Sequence, residues 1–247
     1  MDILWYGDTI QTDSWDVIED TGCGFMRIYH ILSGTIKYTD SQSEFELKKD
    51  TICFFPTNTP YKITCDKPAD FHCVWLHIGI FSHTLDKTLI IDNSYSPIYQ
   101  KCFSLIRTII RNNDKEMLSL SANILLKQVI SDNLLKSLDP NFNKIMIALE
   151  NEALTPVEIK DFAREHGYSC EHLSRLFKKN INITPYQFVI NIRMSYALEY
   201  LKGDHTITSI AEAIGYTDLK SFNKAFKLKY SMSATEYKQL YFSREIE

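Results

Sequence analysis

Apolar positions along this chain follow two rhythms. Up to about residue 90 they come in short runs that alternate or fill a strand; beyond about residue 97 they recur at three and four. "GFMRIYHILSGTIKYT" holds β-branched and aromatic residues around a Ser33-Gly34 turn. "FELKKDTICFFPTNTPYKIT" has a Lys49-Asp50 turn before an apolar run ending at Pro56. In "DFHCVWLHIGIF", Cys73, Trp75 and His77 share one face, and His72, Val74 and Leu76 the other. Many short strands punctuated by Gly, Pro, Asn and Asp predict a small barrel or double-sheet domain over roughly residues 1–90.

The helical rhythm begins with "YQKCFSLIRTIIRNN". The next segment, "EMLSLSANILLKQVISDNLLKSL", predicts a helix running to Leu138. Leu118, Ala122, Leu125 and Val129 form one stripe on it, and Leu126, Ile130, Leu134 and Leu138 continue an adjacent one. Such apolar girth calls for two neighbours, so the helices in 97–138 either close the core of their own domain or form a homodimer seam. "SLDPNF" at 137–142 is the best linker, dividing the chain into 1–138 and 139–247.

Everything beyond the linker reads as helix. One covers 142–151. Thr155-Pro156-Val157-Glu158 predicts a capping box that opens the next, which Gly167 ends. Ser169 starts a third, to about Lys179, and a long fourth spans 184–202 and ends near Gly203. Thr206, Gly215, Thr217 and Ser233 mark a start, a stop and two further starts.

This half contains a repeat. "DFAREHGYSCEHLSRLFKK" aligns with "SIAEAIGYTDLKSFNKAFK", matching Ala163 and Gly167-Tyr168 with Ala211 and Gly215-Tyr216. The small alanines suit a close helix approach, and the glycines a left-handed turn position. Leu173, Leu176 and Phe177 face inward in the first copy, leaving Glu171, Ser174, Arg175 and Lys178 outward. Phe222, Ala225 and Phe226 do so in the second, leaving Lys220, Asn223, Lys224 and Lys227 as one i, i+3, i+4, i+7 stripe. A helix with that stripe fits a major groove, where Arg or Lys donates to guanine and outer lysines contact phosphates. The amides at Ser169-Cys170 and Thr217-Asp218 also suit phosphate.

Charge sharpens this picture. The 247-residue chain is acidic overall, with a formal charge of −4, and residues 139–247 hold 14 basic and 14 acidic side chains. Yet residues 217–229 carry a net +3 and residues 169–179 a net +2, so the positive charge sits on the two candidate helices. Glu171 dissents, since a carboxylate repels phosphate unless it accepts from a cytosine amino group or orders an arginine.

These residues resemble the AraC/XylS family of bacterial transcription regulators, from about Leu154 to Tyr237. The resemblance rests on "FAREHGYSCEHLSRLFKK", on "RMSYALEYL" with Arg193, Ala197 and Leu201, and on "ITSIAEAIGYTDLKSFNKAFKLKY". It implies two helix-turn-helix units, about 155–179 and 206–228, held one DNA turn apart by the long helix, each placing its second helix in a major groove of promoter DNA. By position, Glu171, Ser174 and Arg175, then Leu219, Lys220, Asn223 and Lys224, are the base-reading candidates, with Lys178, Lys179 and Lys227 beside them. The chain departs from the family pattern at Asn182 and Ser231 (usually Gly), Ala234 (Pro), Ser221 (an aromatic) and Lys224 (Arg); these changes bear on turn strain and sequence preference.

Gly34, the segment "LKKDTICFFPTNTPYKI" and the two following helices fit in order the cupin-like effector-binding and dimerisation domain of the same family, so the resemblance extends to residues 1–138. The expected architecture is a two-domain α+β chain: an N-terminal cupin-like β-barrel with two C-terminal helices, then an all-α domain of two helix-turn-helix units. Family members commonly bind a sugar or another small molecule there, and others respond to temperature, partner proteins or fatty acids. The family implies activation through RNA polymerase, although the residues themselves do not separate activator from repressor, or effector control from control by a protein partner. Tyr38, Phe54 and Trp75 are the effector-pocket candidates; aromatic strand residues are otherwise plain core.

Other classes find less support. His72 and His77 face opposite sides of a strand, no H-x-H or H-x-x-x-H pair lies by a carboxylate, and Pro60-Tyr61 stands where a metal cupin shows a His, so neither a metal nor another cofactor is expected. His30, His72, His77 and His83 read as structural or pocket-lining. No nucleophile-base-acid set is legible, which makes an enzyme fused to a DNA-targeting domain the weaker alternative. Cysteines at 23, 53, 65, 73, 102 and 170 lack paired spacing, as for free thiols in the cytoplasm. The N-terminus lacks the apolar run of a secretory signal, and no stretch of about 18 apolar residues predicts a membrane span.

Overall fold

The structure, a computed structural model, describes residues 3–11, 14–19, 25–57, 59–65, 71–79, 83–92, 97–230 and 232–241. The chain divides into two compact units, 1–138 and 139–247. The first is antiparallel β-structure followed by helices; the second is helical. No helix among the described residues is long and apolar enough to cross a membrane.

In the first unit the strands are β1 (Ile3–Gln11), β2 (Trp15–Glu19), β3 (Met26–Ser33), β4 (Thr35–Thr39), β5 (Glu44–Lys48), β6 (Ile52–Phe55), β7 (Tyr61–Cys65), β8 (Phe71–Ile78), β9 (His83–Thr84) and β10 (Leu89–Ile91). Helices α1 (Pro97–Arg111) and α2 (Lys115–Ser131) and the short β11 (Lys136–Ser137) follow. One sheet has the order β1-β8-β3-β6-β10, a second the order β2-β7-β4-β5, and β11 pairs with β9. The expected turns are present, with Asp50 at φ 65° between β5 and β6.

The five-stranded sheet is covered on both faces, which is why its strands read as nearly continuous apolar runs. Met26, Ile28, Ile52, Phe54, Val74, Leu76 and Ile78 pack with Tyr99, Phe103 and Ile106 of α1 and Leu118, Ala122, Leu125 and Val129 of α2. The alternate residues Tyr29, Ile31, Cys53, Phe55 and Cys73 pack with Ile36, Tyr38, Leu47 and Ile63 of the four-stranded sheet.

Helix α2 starts as its Asp114 cap dictates, with the carboxylate accepting from the Met117 amide. It ends at Ser131, short of the predicted Leu138. Asn133 enters the left-handed region at φ 56°, and the Asp132 carboxylate accepts from the Tyr99 hydroxyl and the Gln128 amide. The chain then turns into β11. Of the second predicted stripe, Leu126 is buried in the helix, Ile130 is 37% exposed, and Leu134 and Leu138 lie beyond the helix. Residues of the predicted linker are themselves structured: Ser137 belongs to β11, and Asp139 caps the next helix through the amides of Asn141 and Phe142.

The second unit comprises α3 (Pro140–Glu152), α4 (Ile159–Glu165), α5 (Cys170–Ile181), α6 (Pro185–Leu201), α7 (Ile207–Ala213), α8 (Leu219–Tyr230) and α9 (Ala234–Tyr241). Helix α6 is its axis. Phe188, Val189, Ile192, Met194, Ala197, Leu198 and Leu201 are buried around much of its girth, with α3 and α5 against it as well as α7 and α8. Phe177 fills the first half between Phe142 at 5.1 Å and Phe188 at 5.5 Å. Phe226 fills the second among Phe222, Tyr230 and Tyr237.

Two expected caps are replaced. The Thr155 hydroxyl donates to the Glu152 carbonyl at 2.8 Å, and α4 begins only after Glu158, without a side-chain cap. At α8 it is Asp218, not Thr217, whose carboxylate accepts from the Ser221 amide at 2.8 Å. Ser169, Thr184, Thr206 and Ser233 cap as their sequence predicts, Thr184 in a reciprocal box with Gln187.

Candidate nucleic-acid interface

The pairs α4–α5 and α7–α8 share one local design. In each turn the tyrosine amide donates to the alanine carbonyl, Tyr168 to Ala163 at 2.8 Å and Tyr216 to Ala211 at 2.9 Å. The glycine between them has a positive φ, +77° at Gly167 and +85° at Gly215. Both alanines are buried, which brings the paired helices close. Burial of Leu173, Phe177 and Ile181 then fixes which face of α5 is inward, as Phe222 and Phe226 do for α8.

The remaining faces reach solvent. On α5, Glu171, Arg175, Lys178 and Lys179 are exposed and Ser174 is half-buried; on α8, Leu219, Lys220, Asn223, Lys224 and Lys227 are all exposed. Each set therefore occupies one face of one helix. The departure at Asn182 is accommodated in the left-handed region at φ 55°, where its carbonyl accepts from Lys178 Nζ at 3.1 Å. Its counterpart Ser231 lies outside the described residues.

Each helix start carries its own carboxylate. The backbone amide of Glu171, followed by the Ser169 hydroxyl, holds the Glu171 carboxyl below the usual range. The amide and hydroxyl of Ser221 do the same for Asp218. The His172 amide donates to Ser169 and the Ser221 amide to Asp218, so amides at both helix starts are already engaged by the chain's own side chains.

The effector candidates of the first unit separate. Tyr38 is fully buried between the sheets, stacked on Phe45 at 4.9 Å, with its hydroxyl donating to Asp40 at 3.0 Å. Trp75 shares that side, donating to the Thr9 hydroxyl at 3.1 Å. Phe54 does not, because it points to the opposite sheet face, beneath α1 and α2.

A polar cluster on the inter-sheet side was not recognised from sequence. Arg27 is buried, donates to His77 Nε2 at 3.2 Å and to the Tyr61 hydroxyl, and pairs with the buried Glu19 at 2.9 Å. Its guanidinium lies 5.3 Å from the Phe25 ring centroid, and Trp75 and His77 are 4.9 Å apart. The available signal was an arginine at an inward position of the apolar strand "MRIYHILS". Among the other histidines, His30 is buried against Phe103, and burial lowers its pKa to about 4. His72 joins Arg107 and Arg111 around Asp8. Among the described residues, no three His, Cys, Asp or Glu side chains group to hold a metal.

The paired units match a known family: the helix-turn-helix domain model covers residues 162–240. A helix-turn-helix-type transcriptional regulator of Haemophilus influenzae is 24% identical, over 90% of this chain and 88% of its own. The chain is a DNA-binding transcription regulator whose second unit carries an AraC-type helix-turn-helix domain. Another relative, the lactose operon transcription activator of Staphylococcus xylosus, is 34% identical over 83 residues, covering 33% of this chain and 30% of that protein. The fold is shared by the fatty-acid-bound ToxT of Vibrio cholerae, at a TM-score of 0.66 and 14% identity over 94% of this chain and 93% of that one.

Proposed function

We propose that α5 and α8 enter successive major grooves of promoter DNA. Arg175, Asn223 and Lys224 would read bases with Glu171, Ser174, Leu219 and Lys220, while Lys178, Lys179 and Lys227 meet phosphates. The observation that carries this is the net positive charge concentrated on two helices with exposed basic faces, +2 over residues 169–179 and +3 over 217–229, in a half of the chain that is neutral overall. Arg175→Ala and Lys224→Ala should each weaken binding to a selected promoter duplex more than to a random one, measured by fluorescence anisotropy at fixed salt. Equal losses on both duplexes would remove these residues from base reading.

We read the first unit as a cupin-type barrel that senses a small molecule, in a cytoplasmic activator that contacts RNA polymerase. Arg27, Glu19, His77 and Tyr61, beside Trp75, combine charged hydrogen-bonding groups with aromatic faces, a pairing suited to a sugar. The lactose-operon name of one relative supports that class and activation. Titration calorimetry of the whole chain with a panel of mono- and disaccharides, and an unsaturated fatty acid as a separate arm, tests it. Binding of a sugar that Arg27→Met abolishes supports the reading; binding of the fatty acid alone would replace it.

Met117, Leu120 and Ile124 leave a partly exposed apolar stripe on α2 at i, i+3, i+7 spacing, and we assign it to a second copy of the chain. Sedimentation equilibrium should show a dimer that Leu120→Glu dissociates.

A further inference from the structure

Arg193 stands midway along α6, the helix between the two helix-turn-helix pairs, and its side chain is buried. Its Nε donates to the carbonyl of Ala153 and a terminal nitrogen to that of Thr155, both at 2.7 Å. Its guanidinium lies 5.0 Å from the centroid of the Tyr216 ring. Residues 153–155 lead from α3 into the first pair, whereas Tyr216 belongs to the turn of the second. One side chain thus grips the entry to one unit and the turn of the other.

The same contact is closed from the opposite side by Gly215. A Cβ there would lie 2.8 Å from the carbonyl atoms of Leu154 and from the oxygen of Thr155, so the turn sits directly against the segment that Arg193 holds. An apolar side chain would fill this place on α6 without the desolvation that a buried cation suffers. What arginine adds is direction: a planar fork that donates to two carbonyls while its charge sits over an aromatic ring.

We propose that Arg193 is a positioning residue that sets the separation of α5 and α8, and through it the base-pair spacing between the half-sites the regulator accepts. This rests on the reading that both helices meet DNA. Two reading heads on one rigid body bind together only where the spacing of their sites fits, and loosening the joint lowers the effective concentration of the second head while widening the spacings it reaches.

The test uses the full chain and duplexes recovered by the wild-type protein from a random library, with one base pair inserted or deleted between the half-sites, or either half-site scrambled. Wild-type affinity should fall by roughly tenfold or more on the altered spacings; Arg193→Lys should bind the parent duplex roughly tenfold more weakly yet change less than about threefold across spacings. Half-site affinities should be equal in both proteins. Tyr216→Leu, which removes the ring face, should show the same flattening, and thermal unfolding identifies which variant is folded. A folded variant that keeps the wild-type spacing profile overturns the positioning role, as does loss of fold in both variants, because the contact would then hold the fold alone. A wild-type protein indifferent to spacing would instead fault the two-groove reading, and this proposal with it.

Discussion

The two helix-turn-helix pairs are built to one local pattern but placed in different surroundings. A Cβ added at Gly167 would meet nothing within 4 Å, whereas one added at Gly215 would strike the backbone of Leu154 and Thr155 at 2.8 Å. Tyr168 is half-buried, but Tyr216 is buried beneath Arg193, with its hydroxyl pushed up to about 12 by burial. The first turn therefore answers only to its own backbone, and the second also to its neighbours. A repeat in sequence conserves local geometry; which copy is tied down is decided by packing.

The largest expected effect breaks this symmetry directly. Gly215→Ala combines left-handed strain with a backbone clash and should cost roughly 2–5 kcal/mol. Gly167→Ala carries the strain alone and should cost about 1–2 kcal/mol. Urea unfolding of both variants measures the difference, and equal losses would deny the second turn its tertiary role.

How far the sequence discloses these differences depends on the range of the interaction. Gly167 and Gly215, the caps Ser169, Thr184 and Thr206, and the inward faces of α5 and α8 are local matters, legible from spacing. Thr155 is different: it carries a capping signal, yet its carbonyl is claimed by Arg193, 38 residues away, and its hydroxyl turns back to Glu152. The end of α2 misleads because Leu134 and Leu138 keep the helical period while Asn133 leaves the helix and β11 pairs with β9. The Arg27 cluster draws its partners from β2, β7 and β8, so no single stretch displays it.

The next largest effect concerns the exposed faces of α5 and α8. Arg175→Ala and Lys224→Ala should each cost about 1–3 kcal/mol on a selected duplex. Arg175 presents a fork suited to guanine and Lys224 a single rotating ammonium, so Lys224→Arg should sharpen base preference whereas Arg175→Lys should relax it. Selection of bound sequences by each variant checks this, and unchanged preferences would place both side chains on the phosphate backbone.

Smaller again is the cap of α5. Ser169→Ala should cost about 1 kcal/mol, since its hydroxyl satisfies the His172 amide, while Thr155→Ala should cost less than about 0.5 kcal/mol because its hydroxyl caps no helix start. Thermal melts of both would expose the misplaced capping signal as a difference in midpoint.

The smallest effect separates capping from charge at the two helix starts. Asp218→Asn retains an oxygen for the Ser221 amide but removes a negative charge from the face of α8, and Asn caps about as well as Asp. Glu171→Gln does the same on α5, where the carboxylate is held ionised by its own amide and the Ser169 hydroxyl. If Asp218 serves only as a cap, Asp218→Asn should tighten specific and random duplexes alike, by roughly two- to fivefold at low salt and less at high salt. If Glu171 accepts from a cytosine amino group, Glu171→Gln should tighten random DNA by a similar factor while weakening the selected sequence. Anisotropy titrations across a salt series on both duplexes distinguish the two carboxylates: parallel behaviour would mean that Glu171, like Asp218, only shapes the start of its helix.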